Sequence, residues 1–530
     1  MRPPERRGEW PLAGLVVLGL VASAVLYLWS ADRTYRLGLP LDDSWIHQTY
    51  ARNLAEHGEW SFLPGSPSAG STAPLWSALL SVGYWLRLNP LAWTYGVGLL
   101  FLFILAWLVS HWVKIPAPDQ MSWAWVFALL AVMEWHLVWA SVSGMETLAL
   151  GLLAVLVFFA LESRRVGPGG LGLLIGVGAW IRPDALTLAI GPVGQTILQG
   201  RREATAGLLK FAVGLALGLV PYLLWQRSLS GQIWPNTFFA KQAEYAALRE
   251  IPLLVRLAAQ AGVPGAWFGR QALEPGGPLI GVMAALVPGL VITAVSQIRN
   301  RQWDRLLPLV WSGVFLGLYA VRLPVTYQHG RYAMPVLPVW LAVAGAGMLS
   351  WVQPGSGTAW RRILSRTWIV LVPILAAYFW LAGARAYAQD VAIIESEMVE
   401  SARWIEGQTP VGAVVAAHDI GALGYFSNRD LIDLAGLVSP QAIPFLHDEP
   451  ALARYLHEQG ADYLVTFPSW YPELTRGREP VFVTGGLFSP AAGGENMAVY
   501  RWNSSSFAPC GGCAILADLG LGNPCRKSLF

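Results

Sequence analysis

Apolar and polar positions alternate along this chain in long blocks. Apolar runs fall near 10–30, 91–112, 122–141, 147–163, 169–182, 185–199, 206–226, 278–297, 306–321, 333–351 and 367–384. Each reads as a membrane helix, although several are shorter than the ~20 residues that cross a bilayer. After the first run comes a polar stretch, 41–58, that carries Asp42 and Asp43 side by side. It predicts a helix. Asp42, Asp43 or Ser44 can cap the first turn, Ile46, Tyr50 and Leu54 recur at helical spacing, and Gly58 can end it in the left-handed region. Either the pair serves only as the cap, or one aspartate caps while the other is free for chemistry. From about 390 the pattern changes. Val391–Glu406 reads as an amphipathic helix and Ala451–Gln459 as another. Val411–Ala417, Leu431–Leu434, Asp462–Phe467, Pro480–Val483 and Met497–Trp502 read as strands, which predicts a small α/β unit.

Composition supports the membrane reading. The chain is 55% hydrophobic and 13% charged, against about 25% charge in soluble domains. Mean hydropathy is +0.45. The 27 Trp and 17 Tyr suit many membrane–water boundaries. A net charge of +3, with no basic tract interleaved with aromatics, excludes a nucleic-acid partner. Cys510, Cys513 and Cys525 all lie in the last stretch, and no His or second pair completes a metal site around the C-x-x-C. Residues 503–530 read as a flexible tail.

Charge predicts orientation. Arg2, Arg6 and Arg7 precede the first run, which puts the N-terminus in the cytoplasm. Lys114, Arg164-Arg165, Arg201-Arg202, Arg299-Arg301-Arg305 and Arg361-Arg362-Arg366 then all fall inside, provided that 73–88 does not cross. That segment is accordingly read as re-entrant or lying at the outer face. The outer face collects the loop 31–72, Ser143–Thr147, Arg182-Pro183-Asp184, the loop 227–277, Tyr327–Tyr332 and everything after 385. Ionisable groups gathered at one membrane boundary are costly and functional.

These pieces together resemble the GT-C superfamily of integral-membrane glycosyltransferases. The resemblance spans about 40–502. It rests on Asp42-Asp43, Gly-Ser-Thr-Ala-Pro-Leu-Trp at 70–76, Ser-Gly-Met-Glu-Thr at 143–147 and Arg-Pro-Asp at 182–184. Pro-Asn-Thr-Phe-Phe-Ala-Lys at 235–241, Arg331-Tyr332 with Pro335 and Pro338, and Asp-Ile-Gly-Ala-Leu-Gly-Tyr at 419–425 complete it. The resemblance is to bacterial members such as protein O-mannosyltransferases and arabinofuranosyltransferases. It implies an all-α polytopic membrane domain of about 11–13 spans over 1–389, with a catalytic first outer loop at 31–90. An extracytoplasmic α/β domain over 390–502 follows, and the location implied is the bacterial inner membrane.

The resemblance also implies a polyprenyl-phosphate sugar donor and inverting transfer to a hydroxyl of a glycan, lipid or protein acceptor. A polyprenyl phosphate is already a good leaving group, so one carboxylate acting as base suffices. Asp42 is preferred over Asp43 for that role, Asp43 being assigned to the cap, and Glu146 is a second acid near the site. Lys241, Arg331, His329 and Arg182 are the candidates to hold the donor phosphate. Arg182 can instead pair with Asp184. A divalent cation, Mg or Mn, could bridge Asp43 and the phosphate. His47 reads as structural. The glycine pair Gly421 and Gly424 is a candidate phosphate loop, explained as well by turn geometry. The loop 227–277, with amphipathic 251–260, is a plausible gate for the lipid chain. Two other readings stay open: a transporter of a lipid-linked sugar, which would call for internal repeats and charges at midplane, and a non-catalytic envelope scaffold.

Overall fold

The computed structural model describes residues 9–115, 123–198, 200–263, 277–352 and 357–502. Arg2, Arg6, Arg7, Cys510, Cys513 and Cys525 lie outside them, as does the tail 503–530.

The long apolar runs form helices because every backbone polar group must be satisfied within the segment when lipid surrounds it. They are α1 (Glu9–Thr34), α4 (Pro90–Lys114), α7 (Thr147–Ser163), α8 (Pro168–Gly178), α9 (Ile190–Leu198), α10 (Arg201–Ser230), α13 (Met283–Arg299), α14 (Leu307–Arg322), α16 (Leu337–Trp351) and α17 (Ala359–Ile394). The run near 122–141 is split into α5 (Ala124–Met133) and α6 (Trp135–Val142), which meet at 55°. Glu134 makes the break, with extended backbone and a carboxylate that accepts from the Leu137 N–H at 3.0 Å. Among the described residues, six helices are long and apolar enough to cross a membrane, or seven if the bent pair is one span. Leu18, Leu209, Leu217, Leu224, Val370 and Tyr378 remain exposed on these helices, as lipid-facing positions do.

Polar helices lie between the spans. The first, α2 (Asp42–His57), ends at Gly58 with φ 69°. A hairpin of β1 (Ser61–Leu63) and β2 (Ser66–Pro67) leads to α3 (Pro74–Trp85). At 12 residues α3 is well below the ~20 that cross comfortably, and it packs against α2. Beyond α10 come α11 (Asn236–Glu244) and α12 (Leu253–Ala261), and α15 (Tyr327–Gly330) follows α14. Gln328 and His329 in α15 both have positive φ.

No linker follows the last span. α17 runs through residue 390 to Ile394, and a π-turn at Glu395–Val399 joins it to α18 (Glu400–Gln408). The remaining elements are β3 (Val414–Ala417), α19 (Gly421–Phe426), β4 (Asp430–Asp433), α20 (Glu449–Glu458), β5 (Tyr463–Thr466), β6 (Pro480–Val483) and β7 (Ala498–Arg501). They form a five-stranded sheet in the order β4-β3-β5-β7-β6. β3, β4 and β5 are parallel, and β7 runs antiparallel to both β5 and β6. The sheet's inner layer, with Val415, Ile420, Leu423 and Val499, shares one buried core with the membrane helices. Its outer layer, with Leu452, Leu456 and Tyr500, is a separate core.

Glycine sets how closely helices approach, as in membrane bundles generally. A Cβ built at Gly214 of α10 would stand 1.9 Å from the Gly169 carbonyl of α8. Gly214→Leu should therefore prise α8 from α10 and destabilise the protein by about 1–3 kcal/mol, as overpacking does. A fluorescence melt in detergent should show an earlier transition than for Gly214→Ala.

Candidate active site

The first turn of α2 carries both aspartates, and neither caps it. Leu41 is the N-cap, with no side-chain cap bond. The two carboxylates point to different partners. Asp42 is buried and reaches the sheet unit, where the Gly421 N–H donates to its Oδ2 at 2.6 Å and the Ala422 N–H to its Oδ1 at 2.8 Å. Burial and the nearby Asp419 push the Asp42 carboxyl up, and the two N–H donors only partly offset this. Gly421 is required here, because a Cβ would meet the Asp42 carbonyl at 1.9 Å. The glycine pair is therefore no phosphate loop. The Gly421 amide is taken by Asp42, and Gly424 packs against Phe62.

Asp43 faces two cations. Arg331 Nη2 donates to its Oδ2 at 2.5 Å, and Lys241 Nζ lies 3.6 Å from the same atom. Burial opposes ionisation, but Lys241 and Arg331 together hold the Asp43 carboxyl well below the usual range. Asp43 lines a cavity of about 250 Å³ that also reaches His47, Glu146, Arg182, Lys241, Arg331 and Tyr332. One flank is mostly apolar, formed by Pro235 and Phe238 of the α11 segment and by Leu318 and Leu323 at the end of α14, with Gln242 and Arg322 beside them. Phe238 and Leu318 are also exposed, so the apolar flank opens outward.

The charged groups divide into spent and available. Arg182 is spent. It donates from Nη1 to Glu146 Oε1 at 2.7 Å, from Nε to Asp184 Oδ2 at 2.8 Å and from Nη2 to the Tyr319 hydroxyl at 3.1 Å. Glu146 is fully buried, and His47 Nε2 lies 3.2 Å from its second oxygen. Burial resists ionisation, but His47 and Arg182 lower the Glu146 carboxyl to about 2. His47 is fixed at its other nitrogen, where Nδ1 is 2.9 Å from Ser77 Oγ. Arg331 is only 3% exposed, yet its Nε and Nη1 have no hydrogen-bond partner among the described residues. A buried guanidinium with unsatisfied donors is costly unless an anion completes it.

Asp43, Glu146, Lys241, Arg331 and Arg182 thus share one cavity. Asp42 lies outside its lining. His329 is held elsewhere, its Nε2 2.7 Å from Asp390 Oδ2, between Trp135 and Trp139. No group of three or more His, Cys, Asp or Glu that could hold a metal occurs among the described residues. With Arg331 and Lys241 on Asp43, the donor set does not suit Mg or Mn. Tyr319 had no signal in the sequence, whereas His47, read there as structural, is held between Glu146 and Ser77. Tyr332 sits beneath both Arg182 and Arg331, at 5.3 and 5.0 Å from its ring centre. Gly70 also lines the cavity. A side chain there would strike Val438 at 2.4 Å and the Tyr50 hydroxyl at 2.8 Å.

This bundle of membrane helices, with a polar first-loop helix and a small sheet unit, shares its fold with solved membrane proteins. ArnT from Cupriavidus metallidurans, solved bound to undecaprenyl phosphate, aligns with a TM-score of 0.54 at 13% identity, covering 93% of this chain and 98% of that one. The oligosaccharyltransferase AglB from Archaeoglobus fulgidus, in complex with an inhibitory peptide and a dolichol-phosphate, aligns with a TM-score of 0.58 at 12% identity, covering 87% and 70%. Residues 385–501 match a family described as a domain of unknown function, DUF8728. No curated protein matches the sequence.

Two outcomes follow from the aspartates. Asp42→Ala should strand two buried amides, at a cost of about 1–3 kcal/mol. Hydrogen exchange at Gly421 and Ala422 should then speed up. For Asp43, whose folded value is depressed, the pairing contributes stability above the ordinary carboxylate value of about 3.9 and loses it as pH falls through the folded value. Asp43→Asn should thus lower the melting temperature by a near-constant amount from about pH 5 to 8, with the gap to wild type shrinking below about pH 4. A gap that widened on acidification would contradict the pairing.

Proposed function

We propose that the protein is an inverting glycosyltransferase that moves a sugar from a polyprenyl-phosphate donor to an acceptor hydroxyl at the outer face of the membrane. The observation that carries this is Arg331. Two of its donors, without a partner among the described residues, are buried in a cavity whose other flank is mostly apolar and open. A polyprenyl phosphate has that polarity, with an anion at one end of a long hydrocarbon. The undecaprenyl phosphate and dolichol-phosphate named for ArnT and AglB support the same donor class.

Asp43 is the better base than Asp42. Both Asp42 oxygens are engaged by backbone amides, whereas Asp43 lies on the cavity wall beside Arg331 and Lys241. In the reaction the acceptor oxygen attacks the anomeric carbon from the face opposite the phosphate. The carbon–oxygen bond to phosphate breaks, and the hydroxyl proton passes to the Asp43 carboxylate. A depressed carboxylate is a weak base for an alcohol, which suits an oxocarbenium-like transition state in which the proton leaves late. Arg331 and Lys241 stabilise the charge gathered on the departing phosphate. Phosphate drawn to these cations also loosens their hold on Asp43, so donor binding raises the basicity of the group that acts next. Arg182 and Glu146 are positioning residues. They hold each other and, through His47, the face of α2 that presents Asp43.

Purified protein in lipid, given a panel of polyprenyl-phosphate sugars, should release polyprenyl phosphate with one donor in the panel. Asp43→Asn should cut that turnover by about 10²–10⁴, the range for loss of a general base. Asp42→Asn should cost far less at equal folding, and Arg331→Gln should weaken donor binding. Equal turnover in wild type and Asp43→Asn would remove Asp43 from the chemistry.

A further inference from the structure

A second cavity, of about 330 Å³, lies on the other side of Asp43. Asp43, Ile46, Lys241 and Leu437 line both cavities and form the partition between them. The rest of the second cavity is built from two parts of the chain. Glu244, Tyr245 and Gln328 come from the segments that flank the membrane helices, and His418, Asp419 and Trp470 come from the sheet unit.

We propose that this cavity is the acceptor subsite and that Asp419 and Trp470 select an uncharged saccharide as the acceptor. The proposal rests on the glycosyltransferase reading above and adds to it the substrate class that the sheet unit recognises.

Charge decides against an anionic acceptor. The first cavity sets Arg182, Lys241, Arg322 and Arg331 against Asp43, Glu146 and Asp184. The second sets Asp42, Asp43, Glu244 and Asp419 against Lys241 and His418. His418 is not free to bind an anion. Its Nε2 faces Glu244 Oε1 at 3.5 Å, and its Nδ1 is 2.8 Å from the Tyr471 hydroxyl. A phosphate, sulfate or uronate entering here would find both lining cations already engaged, Lys241 by Asp43 and His418 by Glu244.

The unmet hydrogen-bonding capacity points to a ligand rich in O–H donors. Asp419 Oδ2 and Gln328 Oε1 are both buried acceptors with no hydrogen-bond partner among the described residues. Such atoms are costly to leave unpaired. A pyranose ring offers several hydroxyl donors within one ring's span. Beside them, Trp470 is 47% exposed, and the His418 ring meets it edge-on with centres 5.1 Å apart, which braces the indole. An indole offers an apolar face to the C–H face of a sugar while the polar atoms around it orient the hydroxyls. The volume is at the low end of small-molecule sites, about 300–1,000 Å³, which suits one end of a glycan. A saccharide hydroxyl placed here reaches the sugar in the first cavity only past Asp43, where its proton is taken.

The test uses the full-length protein in nanodiscs. Saturation-transfer NMR reads the binding of methyl hexopyranosides, the matching methyl uronosides and a Ser/Thr peptide, without turnover. Undecaprenyl phosphate binding is measured separately, so loss of the donor reading and loss of this one are distinguishable. A neutral hexoside should bind, its affinity should fall about tenfold in Trp470→Ala and in Asp419→Asn, and Asp419→Lys should shift preference toward the uronoside. Trp470 is exposed, so its variant tests the site even if the Asp419 variants fold poorly. Saccharide binding that is indifferent to Trp470→Ala would overturn the proposal. Equal or stronger binding of the uronoside to wild type would do the same, and preferential binding of the peptide would replace the saccharide with a protein acceptor.

Discussion

Two neighbouring carboxylates bind in different directions, and most of the structure is arranged to let them. Asp42 accepts from two amides of the sheet unit, and Asp43 pairs with Arg331 and Lys241 of the membrane domain. Consecutive residues on a helix point about 100° apart, so one turn of α2 can serve two partners. The first contact holds the sheet unit against α2. The second places a charged acid on the wall of a cavity. Neither is possible without the other elements that brace α2. Ser44 donates to the Ser143 carbonyl at 2.7 Å, and Arg52 donates to the Tyr425 carbonyl at 2.7 Å while lying 4.7 Å over its ring.

Much of the fold was legible from hydrophobic runs alone. The run near 147–163 is α7, Thr147–Ser163, and the strand expected at Pro480–Val483 is β6. Length and apolarity are local properties, and lipid enforces them. Within the segment 73–88, read as non-crossing from charge alternation, the helix α3 has 12 residues.

The site was legible as a set of residue types, less so as a set of roles. Arg182 and Asp184 are two apart, and their pairing could be anticipated. The partner of Glu146 is the same Arg182, 36 residues away, which no local pattern reveals. Assigning one aspartate to the helix cap followed a sound local preference. That preference yielded to partners 379 and 288 residues distant. His329 looked like a neighbour of Arg331, but positive φ at Gln328 and His329 turns the imidazole back onto Asp390.

The last helix has a geometric consequence. At 36 residues, α17 is about 54 Å long, well beyond the ~30 Å of hydrocarbon in a bilayer. It passes without a break into the sheet unit, so it acts as a strut of fixed length. The cavity that Ile394 helps to line therefore stands at a set distance along α17 from its apolar part. For the donor class proposed above, which bond of a long amphiphile arrives there is then a matter of measurement against the strut.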